Sequence, residues 1–300
     1  MKGILLAGGS GSRLYPTTQA VSKQLIPVYD KPTIYYPLTT LMLAGVREIL
    51  VISTPRDIPR MREMLKDGKQ YGLNIEYIVQ DRPRGIAEAM ILGEKFVGND
   101  VSTLILGDNL FYGHDLGTRL ERALKAAETR GRATVFAHQV SDPERYGVVT
   151  LDEGGRPLAL VEKPKAYVSP WAVTGLYVYP AGVSLIAGGL EPSRRGELEI
   201  TDLNNFYLNK SNLDVELLGR GYAWLDTGTP QSLLEASQFV ATLENRQGQK
   251  IGCPEEIALQ SGFINAEEFS KLLESIPACA YHDYLKEVLE DYRAGTRHRS

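Results

Sequence analysis

Short apolar runs alternate with helix-period stretches along the first half of the chain. KGILLA, REILVIST, LNIEYIVQ and VSTLILGD are rich in apolar and β-branched residues, while PTIYYPLTTLMLAGV, DIPRMREMLKDG and GIAEAMILGEKFVG read as helices between them. Strands buried on both faces lose the in-out alternation of half-exposed ones, so the pattern predicts a parallel sheet with helices on both sides. Right-handed crossovers make it doubly wound, mostly parallel and Rossmann-like. Residues 132–226 add the strands RATVFAHQV, YGVVTL, PLALVEK, WAVTGLYVYP and LDVELLG and the helix LEITDLNNFYLNK. They read as an inserted β/α region that extends the sheet and builds a wall over it. From Pro230 onward four helical patterns follow, PQSLLEASQFVATLENR, PEEIALQSG, NAEEFSKLLES and HDYLKEVLEDY. The expected organisation is a core over residues 1–230, a helical packing or oligomerisation segment over 231–291, and a disordered tail over 292–300.

Composition narrows the class. A net charge of −4 argues against a general nucleic-acid binder, which would carry a basic stripe, yet locally placed Lys and Arg still allow an anionic substrate. The two cysteines, Cys253 and Cys279, make neither a disulfide framework nor a four-ligand zinc set. His114, His138, His282 and His298 lack metal-ligand spacing, and His114 reads as structural or as part of a subunit contact. The first apolar run is too short for a signal-peptide core, and no run approaches the length of a membrane span. The expectation is a cytoplasmic protein with no nucleic-acid or membrane partner.

The polar signatures sit where open α/β sheets bind ligands, beyond the carboxyl ends of the strands. GGSGSR follows the first strand, Gln80 ends the third, and Gly107-Asp108-Asn109 ends the fourth. The loop has no Lys-Ser or Lys-Thr for a Walker A motif, and Leu14 occupies the place of a dinucleotide fingerprint's third glycine. Its glycines still let backbone N–H groups approach an anion, with Arg13 and Lys23 adding two cations. Taken alone the loop also suits a tight turn; Lys23, just before a Pro-bounded apolar segment, favours a phosphate cradle. Asp108 and, in AWLDTGT, Asp226 each follow an apolar strand. Either is an ordinary turn or capping aspartate by itself. Together beside a phosphate loop they suit Mg²⁺, which takes few protein carboxylates and fills its octahedron with phosphate oxygens and water. Glu162 and Lys163 face opposite sides on a regular strand, and both reach one ligand only if the strand ends there, where Pro164 can stop it. Gly147 marks a close approach to backbone. Arg195 offers a fork to phosphate, unless Glu197 and Glu199 merely decorate the next helix. Trp171 is the aromatic placed nearest a sugar.

In this order LAGGSGSRLYP with SKQLIPV, LGDN, RYGVV, EKP, GELEITD and AWLDTGT resemble the sugar nucleotidyltransferases, from residue 1 to about residue 290. GGSGSR and EKP mark the wider family; GRGYAWLDTGT followed by LLEASQFVATLENRQG is similar to its thymidylyltransferase branch. The resemblance implies a core with a nucleotide-binding first half and a sugar-phosphate-binding second half. Arg13 and Lys23 would bind the nucleotide's phosphates over a cradle of Gly8, Gly9 and Gly11, Leu6, Ala7, Ser12, Pro83 and Asp108 would also contact the nucleotide, Gln24 would lie against it, and Gln80 and Gly85 would read the base. Asn109, Tyr146, Gly147, Glu162, Val173 and Trp224 would line the sugar pocket, with Lys163 and Arg195 on its phosphate. Arg13, Lys23, Asp108, Lys163 and Asp226 would be catalytic, Asp108 and Asp226 as the Mg²⁺ ligands. The reaction implied is dTTP plus glucose 1-phosphate giving dTDP-glucose and pyrophosphate, the first step toward dTDP-rhamnose and other deoxysugars, in a homotetramer built as a dimer of dimers.

This chain departs from the pattern in places. Ser12 stands for Thr, SPWAV for SNYAV, and QDRPRGIAEA for a segment like QPSPDGLAQA, which puts Arg82, Arg84 and Glu88 near Gln80. The family often has a second nucleotide-sugar site on a segment that here runs Glu255 to Gln260 without its arginine. A uridylyl- or other sugar-1-phosphate nucleotidylyltransferase shares the same chemistry. A dehydrogenase would need the third glycine and an acid soon after the second strand, where Asp57 comes late. A silent nucleotide-sugar sensor is expected to have lost a cation or carboxylate, and none is missing.

Overall fold

The computed structural model describes residues 1–9 and 11–295. The first apolar run forms β1 (Lys2–Leu6), and after the glycine-rich loop come a two-strand hairpin, β2 (Pro27–Val28) with β3 (Lys31–Pro32), and α1 (Tyr35–Leu43). β4 (Glu48–Ser53), α2 (Ile58–Leu65) and β5 (Asn74–Val79) follow as read. GIAEAMILGEKFVG is two short helices, α3 (Glu88–Leu92) and α4 (Glu94–Val97), divided at Gly93. A methyl group on Gly93 would lie 2.8 Å from Ile4 Cδ1, so the break lets the chain press onto β1. β6 (Ser102–Leu106) and β7 (Asn109–Tyr112) lead to α5 (Leu116–Arg130). This helix adds to the predicted elements, although Leu116, Leu120, Leu124 and Ala127 recur at helical spacing on its buried face.

The second half supplies β8 (Ala133–Gln139), β9 (Gly147–Leu151), β10 (Pro157–Glu162), β11 (Trp171–Tyr179), α6 (Val183–Gly188) and α7 (Ile200–Asn209). β12 (Leu213–Leu218) and β13 (Ala223–Asp226) precede α8 (Pro230–Gln247), α9 (Pro254–Gln260), α10 (Ala266–Glu274) and α11 (Ala280–Ala294). The tail expected from residue 292 is therefore helical as far as Ala294, and positions 296–300 lie outside the described residues.

The main sheet has nine strands, ordered β10-β9-β11-β6-β1-β4-β5, with β8 also on β11 and β12 on β8. β6, β1, β4 and β5 are mutually parallel, β12 is parallel to β8, and β9, β10 and β11 bring in antiparallel pairings. The sheet is a mixed, mostly parallel α/β sheet in its first half, as the near-continuous apolar runs require. Alternate side chains enter opposite cores: Leu5, Val51 and Ile105 pack with α1, α5 and the C-terminal helices through Leu38, Leu120, Phe269 and Leu285. Ile4, Leu50 and Leu104 pack with α3, α6 and α7 through Met90, Val183 and Leu203.

β11 joins the two halves. Its residues Leu176–Tyr179 pair with β6, whereas Ala172 pairs with Val148 of β9, and its register on β8 shifts between Val173 and Tyr177. The strand thus leaves β6 near Thr174 and Gly175, opening the sheet above the carboxyl end of β6. A methyl on Gly175 would lie 2.6 Å from Asn109 Oδ1, so only glycine permits this approach. Beyond that opening α8 starts on a capping box, in which the Thr229 hydroxyl accepts from Ser232 N at 3.2 Å and Ser232 Oγ from Thr229 N at 3.1 Å. Thr229→Ala is expected to lower stability by about 1 kcal/mol, measurable as a shifted urea midpoint with an unchanged m-value.

Candidate active site

The carboxyl ends of β1, β4, β5 and β6 are tied into one crest by Ala7 N→Ile52 O, Gln80 N→Ser53 O and Gly107 N→Leu6 O, each 2.8 Å. Above the crest lies a cavity of about 490 Å³, within the range that encloses small ligands. It gathers Leu6, Gly8, Gly9, Arg13, Lys23, Gln24, Gln80, Pro83, Gly85, Asp108, Asn109, Tyr146, Gly147, Glu162, Lys163, Val173, Arg195, Trp224 and Asp226. Residues far apart in the sequence, from Leu6 to Asp226, therefore meet around one space. Ala7, Gly11 and Ser12 are not in the lining. Ala7 is buried under the crest, and Gly11, at φ +60°, shapes the loop by accepting from the Thr18 hydroxyl at 2.9 Å. Ser12 is exposed, and Trp171 packs into the core on the α7 side instead of facing the cavity.

Lys23 and Asp108 pair at the centre. Burial pushes the Asp108 carboxyl up, but the Lys23 ammonium and the Asn109 amide outweigh it and hold the group below its ordinary value. Asn109 is fully engaged in holding this carboxylate. Its Oδ1 accepts from Gly175 N at 3.1 Å and Trp224 Nε1 at 2.6 Å, so its Nδ2 must donate to Asp108 Oδ1, at 3.0 Å. Asp226 reaches the same place through β13, which pairs antiparallel with β7 so that Asp226 stands opposite Asn109. Burial and the Asp108 charge push the Asp226 carboxyl up, against the pull of Arg145 and Arg13. The Tyr146 hydroxyl donates to Asp226 Oδ1 at 3.3 Å, and its ring meets Trp224 edge-on at 4.9 Å between centroids. Arg13 extends over Gly228, where a methyl would lie 2.7 Å from Nη2.

The other rim carries the second set of polar groups. β10 ends at Glu162, and Lys163 turns at φ +42°, a left-handed conformation uncommon for a residue with a side chain. That turn brings both neighbours to one cavity. Glu162 Oε2 accepts from the Thr201 hydroxyl at 2.6 Å, while its Oε1 lies 3.5 Å from both Lys163 Nζ and Arg195 Nη2. Arg195 is also gripped by Glu199, the residue that precedes α7, at 2.7 and 3.2 Å, so its guanidinium is held among carboxylates at the edge of the cavity. Burial disfavours the Arg195 charge, but Glu199, Glu197 and Glu162 more than offset it and raise its pKa.

Sequence reasoning missed Arg145, Thr174, Gly175, Tyr177, Glu199 and Thr201 in the lining. Arg145 stood next to a singled-out tyrosine and could have been read; the β11 residues depend on a bend no local pattern announces. His114 lies apart, with Glu256 and Gln260, along a second cavity of about 1140 Å³ between α1, α5 and α9. Among the described residues no group of three or more His, Cys, Asp or Glu gathers into a metal cage, and no helix is long and apolar enough to cross a membrane.

The family model for nucleotidyl transferases matches residues 2–242. Over 290 residues the chain is 53% identical to the glucose-1-phosphate thymidylyltransferase of Neisseria meningitidis serogroup A, covering 97% of this chain and 100% of that one. It is 54% identical to the enzyme of the same name from Xanthomonas campestris, covering 95% of each. A Bacillus anthracis protein assigned as a glucose-1-phosphate thymidylyltransferase, solved with sucrose, superposes with a TM-score of 0.73 at 40% identity, over 80% of this chain and 94% of that one. A UDP-glucose pyrophosphorylase complexed with UDP-glucose shares the fold, with a TM-score of 0.70 at 24% identity over 81% of this chain and 98% of the other.

Proposed function

The chain belongs to the nucleotidyl transferase family, and we propose that it is a glucose-1-phosphate thymidylyltransferase, converting dTTP and glucose 1-phosphate into dTDP-glucose and pyrophosphate. The observation that carries this reading is the convergence of Arg13, Lys23, Asp108 and Asp226 on one side of a cavity whose other side holds Glu162, Lys163 and Arg195. A phosphate oxygen of the sugar attacks the α-phosphorus in line, and pyrophosphate leaves. That oxygen is already anionic near neutral pH, so no general base is needed, and among the described residues no histidine lines the cavity. The difficulty is to bring two anions together, so the protein's work is positioning and neutralisation of charge.

Arg13 and Lys23 are set to draw negative charge from the triphosphate across the glycine-rich loop. Lys163 and Arg195 orient the sugar phosphate, and Glu162, fixed by Thr201, accepts from sugar hydroxyls. Asp108 and Asp226 fit Mg²⁺: two mutually repelling carboxylates at one rim are a donor set that phosphate oxygens and water can complete. When bound there, the cation supplies electrostatic stabilisation of the triphosphate charge. A homotetramer and a cytoplasmic location remain part of the proposal by family likeness.

The test is a pyrophosphate-release panel crossing nucleoside triphosphates with sugar 1-phosphates. The thymine methyl in an apolar pocket contributes about 1–3 kcal/mol, so kcat/KM for dTTP should exceed that for UTP by roughly 10- to 200-fold. Equal values for the two nucleotides would overturn the thymidylyl assignment and leave a uridylyltransferase reading.

A further inference from the structure

The base end of the cavity contains a buried carboxylate that the proposed reaction does not use. Glu88 is 3% exposed and opens α3; Gln80 is 4% exposed and follows β5. Gln80 Nε2 donates to Glu88 Oε2 at 2.7 Å. Glu88 also accepts from the Arg84 backbone N at 3.1 Å and from Arg84 Nε at 2.6 Å. Every group facing this carboxylate is thus a donor, and the Arg84 guanidinium balances its charge from the solvent side.

That arrangement decides which way the Gln80 amide points. A carboxylate paired with a guanidinium only accepts, so it holds the NH₂ end of Gln80. Turning the amide over would set the Gln80 carbonyl oxygen against Glu88 and leave a buried acceptor pair without a proton between them. The oxygen is therefore directed to the other side, toward the glycine-rich loop, where a methyl on Gly8 would lie 2.5 Å from Gln80 Oε1. Gln80 and Gly8 both line the cavity, with Gly85 beside them.

We propose that Glu88 is a positioning residue that sets the base selectivity of the cavity by locking Gln80 with its carbonyl oxygen toward the base. A fixed acceptor at this place selects a ring N–H. Thymine and uracil carry one at N3, whereas cytosine presents a lone pair at the same atom, and two acceptors then face each other. The lock favours imide bases and disfavours cytosine without any contact between Glu88 and the nucleotide. Arg84 and Glu88, charges that the sequence places near the base, balance one another and leave the cavity a neutral, oriented amide. The inference rests on the proposed nucleotide site.

Glu88→Leu tests it, because an apolar side chain of similar size offers the Gln80 amide no acceptor and frees it to turn. Binding of dTTP and of dCTP is measured by titration calorimetry for wild type and variant, alongside pyrophosphate release with glucose 1-phosphate. The expected result is a dTTP-over-dCTP preference that falls by about ten-fold or more, the effect of one misdirected buried hydrogen bond, with KM for glucose 1-phosphate unchanged. A general packing defect would move both substrates together. If circular dichroism shows Glu88→Leu misfolded, Glu88→Ala, which removes the lock with less bulk, is expected to give the same loss. A preference kept within two-fold in a folded variant overturns the role of Glu88. Wild type that binds dTTP over dCTP but releases no pyrophosphate with any sugar 1-phosphate overturns the proposed reaction and leaves the base lock supported.

Discussion

Lys23→Ala lowers kcat/KM by about 10³-fold, near 4 kcal/mol of transition-state stabilisation, without unfolding the protein. Lys23 sits in a short turn after the glycine-rich loop and pairs with Asp108 at the floor of the cavity. Its removal leaves the Asp108 and Asp226 carboxylates beside an incoming triphosphate with Arg13 as the remaining cation of the loop. The variant should keep the wild-type circular dichroism spectrum, because the turn is closed by Leu25 N→Ser22 O at 2.9 Å and does not need the ammonium. Lys23→Arg should recover part of the loss, since it restores charge but not position. Near-normal turnover of a folded Lys23→Ala protein would sink the mechanism.

The second large effect is expected at Asp226, and there activity and stability part company. Asp226→Asn should reduce turnover by about 10³-fold, because an amide is a poor ligand for the cation that the two carboxylates suit. Stability should hold or rise by about 1 kcal/mol, because the change removes a buried negative charge that Asp108 repels. Urea denaturation reads the stability, and Mg²⁺ should raise the melting temperature of wild type more than that of the variant. Equal Mg²⁺ shifts, or turnover within ten-fold of wild type, would remove Asp226 from the metal site.

The first half of the fold was legible because its physics is local. KGILLA and REILVIST are apolar at every position since their alternate residues enter two different cores, Ile4 and Leu50 one, Leu5 and Val51 the other. The cavity was legible because several polar signatures fall at strand ends on one edge of the sheet, and Asp108 and Gln80 do line it. Other features depend on distant partners. The division of α3 from α4 follows from the contact of Gly93 with Ile4, and the closeness of Asp226 to Asp108 from the pairing of β13 with β7. Trp171 was misplaced for the same reason. It and Trp224 are both aromatic residues near a strand terminus, and only the long-range placement of their strands decides that Trp224, on β13, lines the cavity while Trp171, on β11, packs into the core. The orientation of Gln80 is likewise written in a carboxylate eight residues away, which the sequence places near Gln80 without saying which end of the amide it holds.

β11 also bears on how this enzyme type can diversify. The strand pairs with β6 at one end and with β9 at the other, so the proposed nucleotide floor and the proposed sugar wall hang from a single continuous length of backbone. On the proposed reading, whatever residues decorate either side, the separation between donor phosphate and acceptor phosphate is inherited from that shared strand. Base choice and sugar choice can then drift separately, as interchangeable fittings on a common rail, while the reacting atoms keep their alignment.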